Sequence, residues 1–129
     1  KSKKYLGEEG NAKGHYFQRL AHFESVETDG APVQTCNQLE HVISVWNHHK
    51  ARTSMRHTAL QVNVLDPFRD HNANLRYGFP CLQQVSFTPL GIRGKDGLVV
   101  TGYYPTQDYF VRGLGNLIGL ARLGQFMAV

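Results

Sequence analysis

The chain has 129 residues, 41% of them hydrophobic and 19% charged, with a formal net charge of +4. A chain of this length makes about one domain around one core that buries roughly two-thirds of its unfolded surface, and the composition excludes disordered, low-complexity and repeat proteins. No run approaches the roughly 20 apolar residues of a membrane span and no signal-peptide core is present, while so mild a basic balance suits an anionic ligand such as a phosphate better than a nucleic acid.

Residues Lys1 to Gly14 are rich in Lys, Glu and Gly without a period and predict a loose lead-in, of which Lys1-Ser2-Lys3-Lys4 supplies part of the basic excess. The absence of an initial methionine implies either processing or a portion of something longer. His15 to Val26 carries Tyr16, Phe17, Leu20 and Phe23, enough to dock on a core but too short to choose between helix and strand. Thr28-Asp29-Gly30-Ala31-Pro32 is turn chemistry. A helix is expected to begin near Thr35 to Asn37, since Asn37 and Glu40 have a capping-box spacing. Leu39, Val42, Ile43 and Trp46 recur at i, i+3, i+4 and i+7 and form its buried stripe. The polar run Asn47 to Ser54 ends it.

Leu60, Val62 and Val64 alternate with Gln61 and Asn63 as in a half-buried strand, which Pro67 terminates. Asp70 to Tyr77 reads as a polar loop. Strands over about Leu82 to Thr88 and Leu98 to Tyr104 flank a turn-rich segment with Gly91, Gly94 and Asp96-Gly97, which predicts a hairpin. From Asp108 to Met127 the apolar residues indicate a buried, mostly helical end. Glycines at 113, 115, 119 and 124 each cost about 1 kcal/mol in a helix interior, so a turn is expected around Arg112 to Gly115 and a helix from about Asn116.

The two cysteines cannot make a disulfide scaffold, and one precedes the expected helix while the other precedes a strand. Both read as reduced, which predicts a cytoplasmic protein. Cys81 follows Pro80, whose fixed φ biases Phe79 toward an extended backbone and presents the thiol at the mouth of a strand. That setting suits a nucleophile, and equally a small buried hydrophobe. His48, His49 and His57 lack a carboxylate or cysteine at a recognised ligand spacing, so no metal is expected.

In order, Gln38-Leu39-Glu40-His41-Val42-Ile43, Arg56-His57 before a strand, Pro80-Cys81-Leu82, the Asp96-Gly97-Leu98 turn, and Asp108 with Asn116 eight residues on resemble the central part of the thymidylate synthase family, which includes deoxycytidylate hydroxymethylases. The resemblance is best over Pro80 to Ala128 and extends weakly to Tyr16. It implies an α+β fold with helices on one face of a mixed or antiparallel sheet, pairing as a homodimer through the sheets. It also implies one-carbon transfer, methyl or hydroxymethyl, from 5,10-methylenetetrahydrofolate to C5 of a pyrimidine nucleotide, with Cys81 adding to C6. Asn116 would read a uracil-like base by accepting from N3–H and donating to O4, or else is a helix cap. Asp108 would order the folate and water, or else is a cap. Thr106 and Arg56 would contact the substrate phosphate, Arg56 across the dimer, though a solvated surface arginine is the plainer reading.

The chain departs from the family at its phosphate site. Tyr104-Pro105-Thr106-Gln107 precedes Asp108, so Pro105 stands where the family has an arginine and only Thr106 keeps a hydroxyl. Losing one charge-assisted hydrogen bond removes roughly 1.5 to 3 kcal/mol of phosphate affinity. Leu82 replaces a frequent histidine, and the family's downstream histidine and tyrosine are absent. A catalytically degenerate module that binds a nucleotide or a protein partner is therefore the alternative expectation.

Overall fold

The computed structural model describes residues 16–24, 33–49, 56–71, 80–92 and 95–128. The lead-in over residues 1–14, the turn at 28–32 and most of the loop over 70–77 lie outside them. Helix α1, Tyr16–Ala21, leads into strand β1, Phe23–Glu24, which pairs antiparallel with β2, Thr35–Cys36. The segment left open between helix and strand is thus one turn and a half of helix followed by a short strand.

Helix α2, Gln38–His49, starts where expected, because the Asn37 side-chain oxygen accepts from the Glu40 N–H at 3.1 Å. Of its expected stripe, Leu39 and Val42 are buried and Trp46 is half-buried against the core, joined there by Val45, while Ile43 is half-buried outside that cluster. A single 3-10 turn, His57–Ala59, precedes strand β3, Gln61–Asn63. Helix α3, Pro67–Asp70, then follows the strand that Pro67 is expected to end and reaches the first residue of the expected loop. Asp66 caps it by accepting from Phe68 N–H at 3.0 Å, and Pro67 takes the first helical position, where a missing N–H costs nothing.

Strands β4, Gln84–Ile92, and β5, Lys95–Tyr103, form the predicted hairpin, but a longer one. Gly91 pairs with Asp96 and Leu90 with Gly97, so residues expected in the turn belong to the ladder. β3 pairs antiparallel with β4, giving the order β3-β4-β5. Period-two alternation sends Val62, Val85 and Phe87 to one face, where they are almost fully buried with Leu20, Leu60, Val64 and Leu82. The opposite face carries Gln61, Ser86 and Thr101 in one row, with Gln61 donating to Ser86 Oγ at 2.8 Å, and leaves Val99 and Tyr103 exposed.

The final helix differs most from expectation. A π-helical turn, Tyr109–Gly113, runs into helix α4, Leu114–Met127, so helical backbone passes through Gly113 and Gly115, where a turn is expected, and does not wait for Asn116. Asp108 caps the turn by accepting from Phe110 and Val111 N–H at 3.2 and 3.1 Å. Gly124 lies over Val100 and Gly102 lies under Leu120, close backbone approaches that a side chain would obstruct. Leu120, Leu123 and Met127 add to the core. The described residues therefore form a mixed helix-and-sheet structure with two antiparallel sheets, the larger covered on one face by α2 and α4. Among them no helix is long and apolar enough to cross a membrane.

Candidate functional site

Cys81 lies at the open end of the hairpin. The ladder ends at Gln84 opposite Tyr103, and Gln83 N–H still donates to the Tyr103 carbonyl at 2.9 Å. The Gln83 carbonyl accepts from Val64 and Leu65 N–H at 2.8 and 3.1 Å, so the backbone two residues beyond Cys81 is held from both sides. Pro80 and Leu82 are buried and Cys81 between them is half-buried, with a free thiol. From the last bonded pair, Gln84 with Tyr103, the chain runs on into the segment that carries Tyr104, Thr106 and Asp108.

One tyrosine is hydrogen-bonded to this residue, and a second lies within electrostatic reach of both. Tyr16 of α1 accepts the Cys81 backbone N–H at 3.0 Å, and its hydroxyl also interacts with the Cys81 side chain. Burial pushes the Tyr16 phenol above its ordinary pKa of 10.0, and negative charge on Cys81 adds to the rise. Tyr104 is raised for the same leading reason, burial, with further contributions from Tyr16 and Cys81. The three groups are one electrostatic unit in which both phenols stay protonated at neutral pH. A phenol that keeps its proton can donate a hydrogen bond to sulfur.

The other expected site residues are spread along the exposed rim. Asp108 serves as the helix cap through Oδ1, while Oδ2 accepts no hydrogen bond among the described residues. Asn116 is half-buried in the interior of the continuous helix, about two turns past Asp108, so it is not a cap. Its amide makes no hydrogen bond among the described residues. Thr106 is exposed, and Arg56 is exposed where the chain enters the 3-10 turn. No hydrogen bond among the described residues joins Cys81 to Asp108, Asn116, Thr106 or Arg56.

A cavity of about 320 Å³ lies at the opposite end of the hairpin, between α2 and the end of α4, lined by Trp46, Phe87, Leu98, Phe126 and Met127. It contains none of the expected site residues. Its lining is mostly apolar, with Asn47 and the Trp46 indole as its polar side chains. Among the described residues no three His, Cys, Asp or Glu side chains are grouped to hold a metal ion.

Sequence reading missed Tyr16 and Tyr104 as neighbours of the thiol. Tyr16 is 65 positions from Cys81, and no spacing rule connects them. Tyr104 was legible only as the last residue of a strand whose register with Cys81 had to be known first. No family model, curated protein or solved structure matches the chain.

Proposed function

We propose that the chain is a thymidylate synthase-like enzyme of the cytoplasm that transfers a one-carbon unit to C5 of a pyrimidine nucleotide. The observation that carries this reading is the half-buried Cys81 thiol at the mouth of an antiparallel hairpin, beside two protonated phenols and at the level where the segment leading to Asp108 and Asn116 emerges. The Cys81 thiolate adds to C6 of the ring, forming an S–C6 bond and making C5 nucleophilic. C5 would bond to the one-carbon unit and lose its proton to solvent, and departure of the Cys81 thiolate would restore the C5–C6 double bond. Methylenetetrahydrofolate, when bound, would supply the one-carbon unit, its nitrogen leaving with the electrons of the broken C–N bond, and the reduced folate would also supply the hydride for a methyl product, whereas water would complete a hydroxymethyl one. Asp108, exposed and with one carboxylate oxygen uncommitted among the described residues, fits the role of holding the folate or a water. Asn116 reads the uracil-like edge, and Thr106 with Arg56 meets the phosphate. Tyr16 and Tyr104 donate to the sulfur. A homodimer paired through the exposed sheet face that bears Val99 and Tyr103 belongs to the same proposal, and light scattering at the monomer mass would overturn that part.

Both methyl and hydroxymethyl transfer require loss of the C5 hydrogen. Release of tritium from 5-tritiated deoxyuridylate in the presence of methylenetetrahydrofolate, abolished by Cys81→Ala, is therefore expected. A second reading is favoured by the exposed Pro105 and by the commitment of Asp108 to a cap: a module that binds a nucleotide or a protein partner without turnover. Tight nucleotide binding that Cys81→Ala leaves unchanged, with no tritium release, selects it.

A further inference from the structure

Helix α1 is six residues long, too short to hold a position by its own hydrogen bonds, yet it delivers the Tyr16 hydroxyl to the Cys81 backbone. What fixes it lies one turn further on. Arg19 donates through Nη1 to Asp70 Oδ2 at 2.6 Å and to the Val64 carbonyl at 2.8 Å, and through Nη2 to Asp70 Oδ1 at 3.0 Å. The two side chains are 7% and 0% exposed. Asp70 Oδ2 also accepts the Asp66 N–H at 2.9 Å, which ties the pair to the start of α3. On the other side of α1, Gln38 donates to the Arg19 carbonyl at 2.9 Å and to the Asn63 carbonyl at 2.8 Å, while its own oxygen accepts the Asn63 N–H at 2.9 Å.

A buried ion pair adds little net stability over an apolar pair of similar volume, because desolvation offsets the attraction. A two-pronged guanidinium–carboxylate contact nevertheless admits one relative orientation. The same Arg19 grips the Val64 carbonyl, and the next two backbone N–H groups along that strand exit, Val64 and Leu65, hold Gln83 just beyond Cys81. The helix bearing Tyr16 and the backbone bearing Cys81 are thus referenced to one fixed point.

We infer that the buried Arg19–Asp70 pair is the positioning device that sets Tyr16 against Cys81, so that both residues govern the reactivity of a thiol neither of them touches. The inference rests on the proposed function only in taking Cys81 as the reactive group. Its test needs no nucleotide: in a Cys36→Ser background, which leaves Cys81 as the sole thiol, iodoacetamide alkylation is timed at neutral pH and tyrosine ionisation is followed by absorbance. Tyr16→Phe is expected to slow alkylation about fivefold, the factor for one lost hydrogen bond. Arg19→Met combined with Asp70→Asn, which removes both charges of the pair and keeps an acceptor for Asp66, slows it by a similar factor and returns one late-titrating tyrosine to the ordinary range. Adding Tyr16→Phe to that variant changes the rate no further, because the pair acts through Tyr16. A folded Arg19→Met/Asp70→Asn protein with the wild-type rate and tyrosine titration overturns the inference, as do effects that multiply. Arg19→Lys, which keeps the charge and loses the fork, is the second variant should the first not fold. It is expected to slow alkylation in the same direction, and a wild-type rate in it counts against the inference. Absence of nucleotide chemistry in the wild type, with these results intact, would overturn the proposed function and leave the positioning role standing.

Discussion

At the scale of single residues, two phenols near Cys81 hold their protons more tightly than ordinary tyrosines. Burial is the leading cause for both, followed by interaction with Cys81 for Tyr16 and with Tyr16 and then Cys81 for Tyr104. The consequence for stability has a definite sign. A folded-state pKa above the unfolded one means that the folded protein keeps protons that the unfolded chain releases, so stability falls as pH rises. The contribution of these tyrosines is complete below pH 10.0 and is lost as pH rises through their raised values. Tyr16 and Tyr104 are expected to ionise late in an absorbance titration, and Tyr16→Phe and Tyr104→Phe each remove one late component. A titration in which neither variant removes a late component would contradict the burial of these phenols beside the thiol. Tyr16→Phe also leaves the Cys81 N–H without its acceptor, at about 1 kcal/mol of stability.

At the scale of elements, close approach between α4 and β5 sets which glycines matter. A Cβ at Gly102 would meet Leu120 Cδ1 at 2.8 Å and Tyr104 Cε2 at 3.0 Å, whereas one at Gly119 meets nothing within 4 Å. Gly102→Ala is therefore expected to destabilise by about 1–3 kcal/mol and to disturb Tyr104. Gly119→Ala, in an exposed helix interior, is expected to stabilise by about 0.5–1 kcal/mol. Thermal melts of the two variants check the pair, and equal shifts would contradict the packing of α4 on β5. The same contrast explains what was legible in the sequence. α2 was readable because its cap and its i, i+3, i+4, i+7 stripe are local signals, and the hairpin because alternation is local too. α4 starts earlier than expected because intrinsic glycine cost argues for a turn over Arg112 to Gly115, while the Asp108 cap and the packing of Leu120, Leu123 and Met127 on the core outweigh it. The hairpin was read as too short because Gly91, Asp96 and Gly97 have turn chemistry yet lie in register across a ladder.

At the scale of the whole molecule, the pieces that assemble the site come from distant parts of the chain. Tyr16 meets Cys81 across 65 positions and Arg19 meets Asp70 across 51. Neither pairing leaves a periodic trace, so Cys81, Asp108 and Asn116 could be singled out from the sequence while the residues surrounding the thiol could not. The mixed helix-and-sheet class was legible because three alternating runs and two apolar helical stripes allow few other arrangements. The account's central claim is that Cys81 is a nucleophile toward a pyrimidine ring, and intact-protein mass after incubation with 5-fluorodeoxyuridylate and methylenetetrahydrofolate tests it most directly. Fluorine at C5 cannot depart as the hydrogen does, so the S–C6 bond persists once formed. The account predicts an added mass equal to nucleotide plus folate in the wild type and none in Cys81→Ala. A folded wild-type protein that gains no mass, or a Cys81→Ala protein that gains it, would contradict the claim.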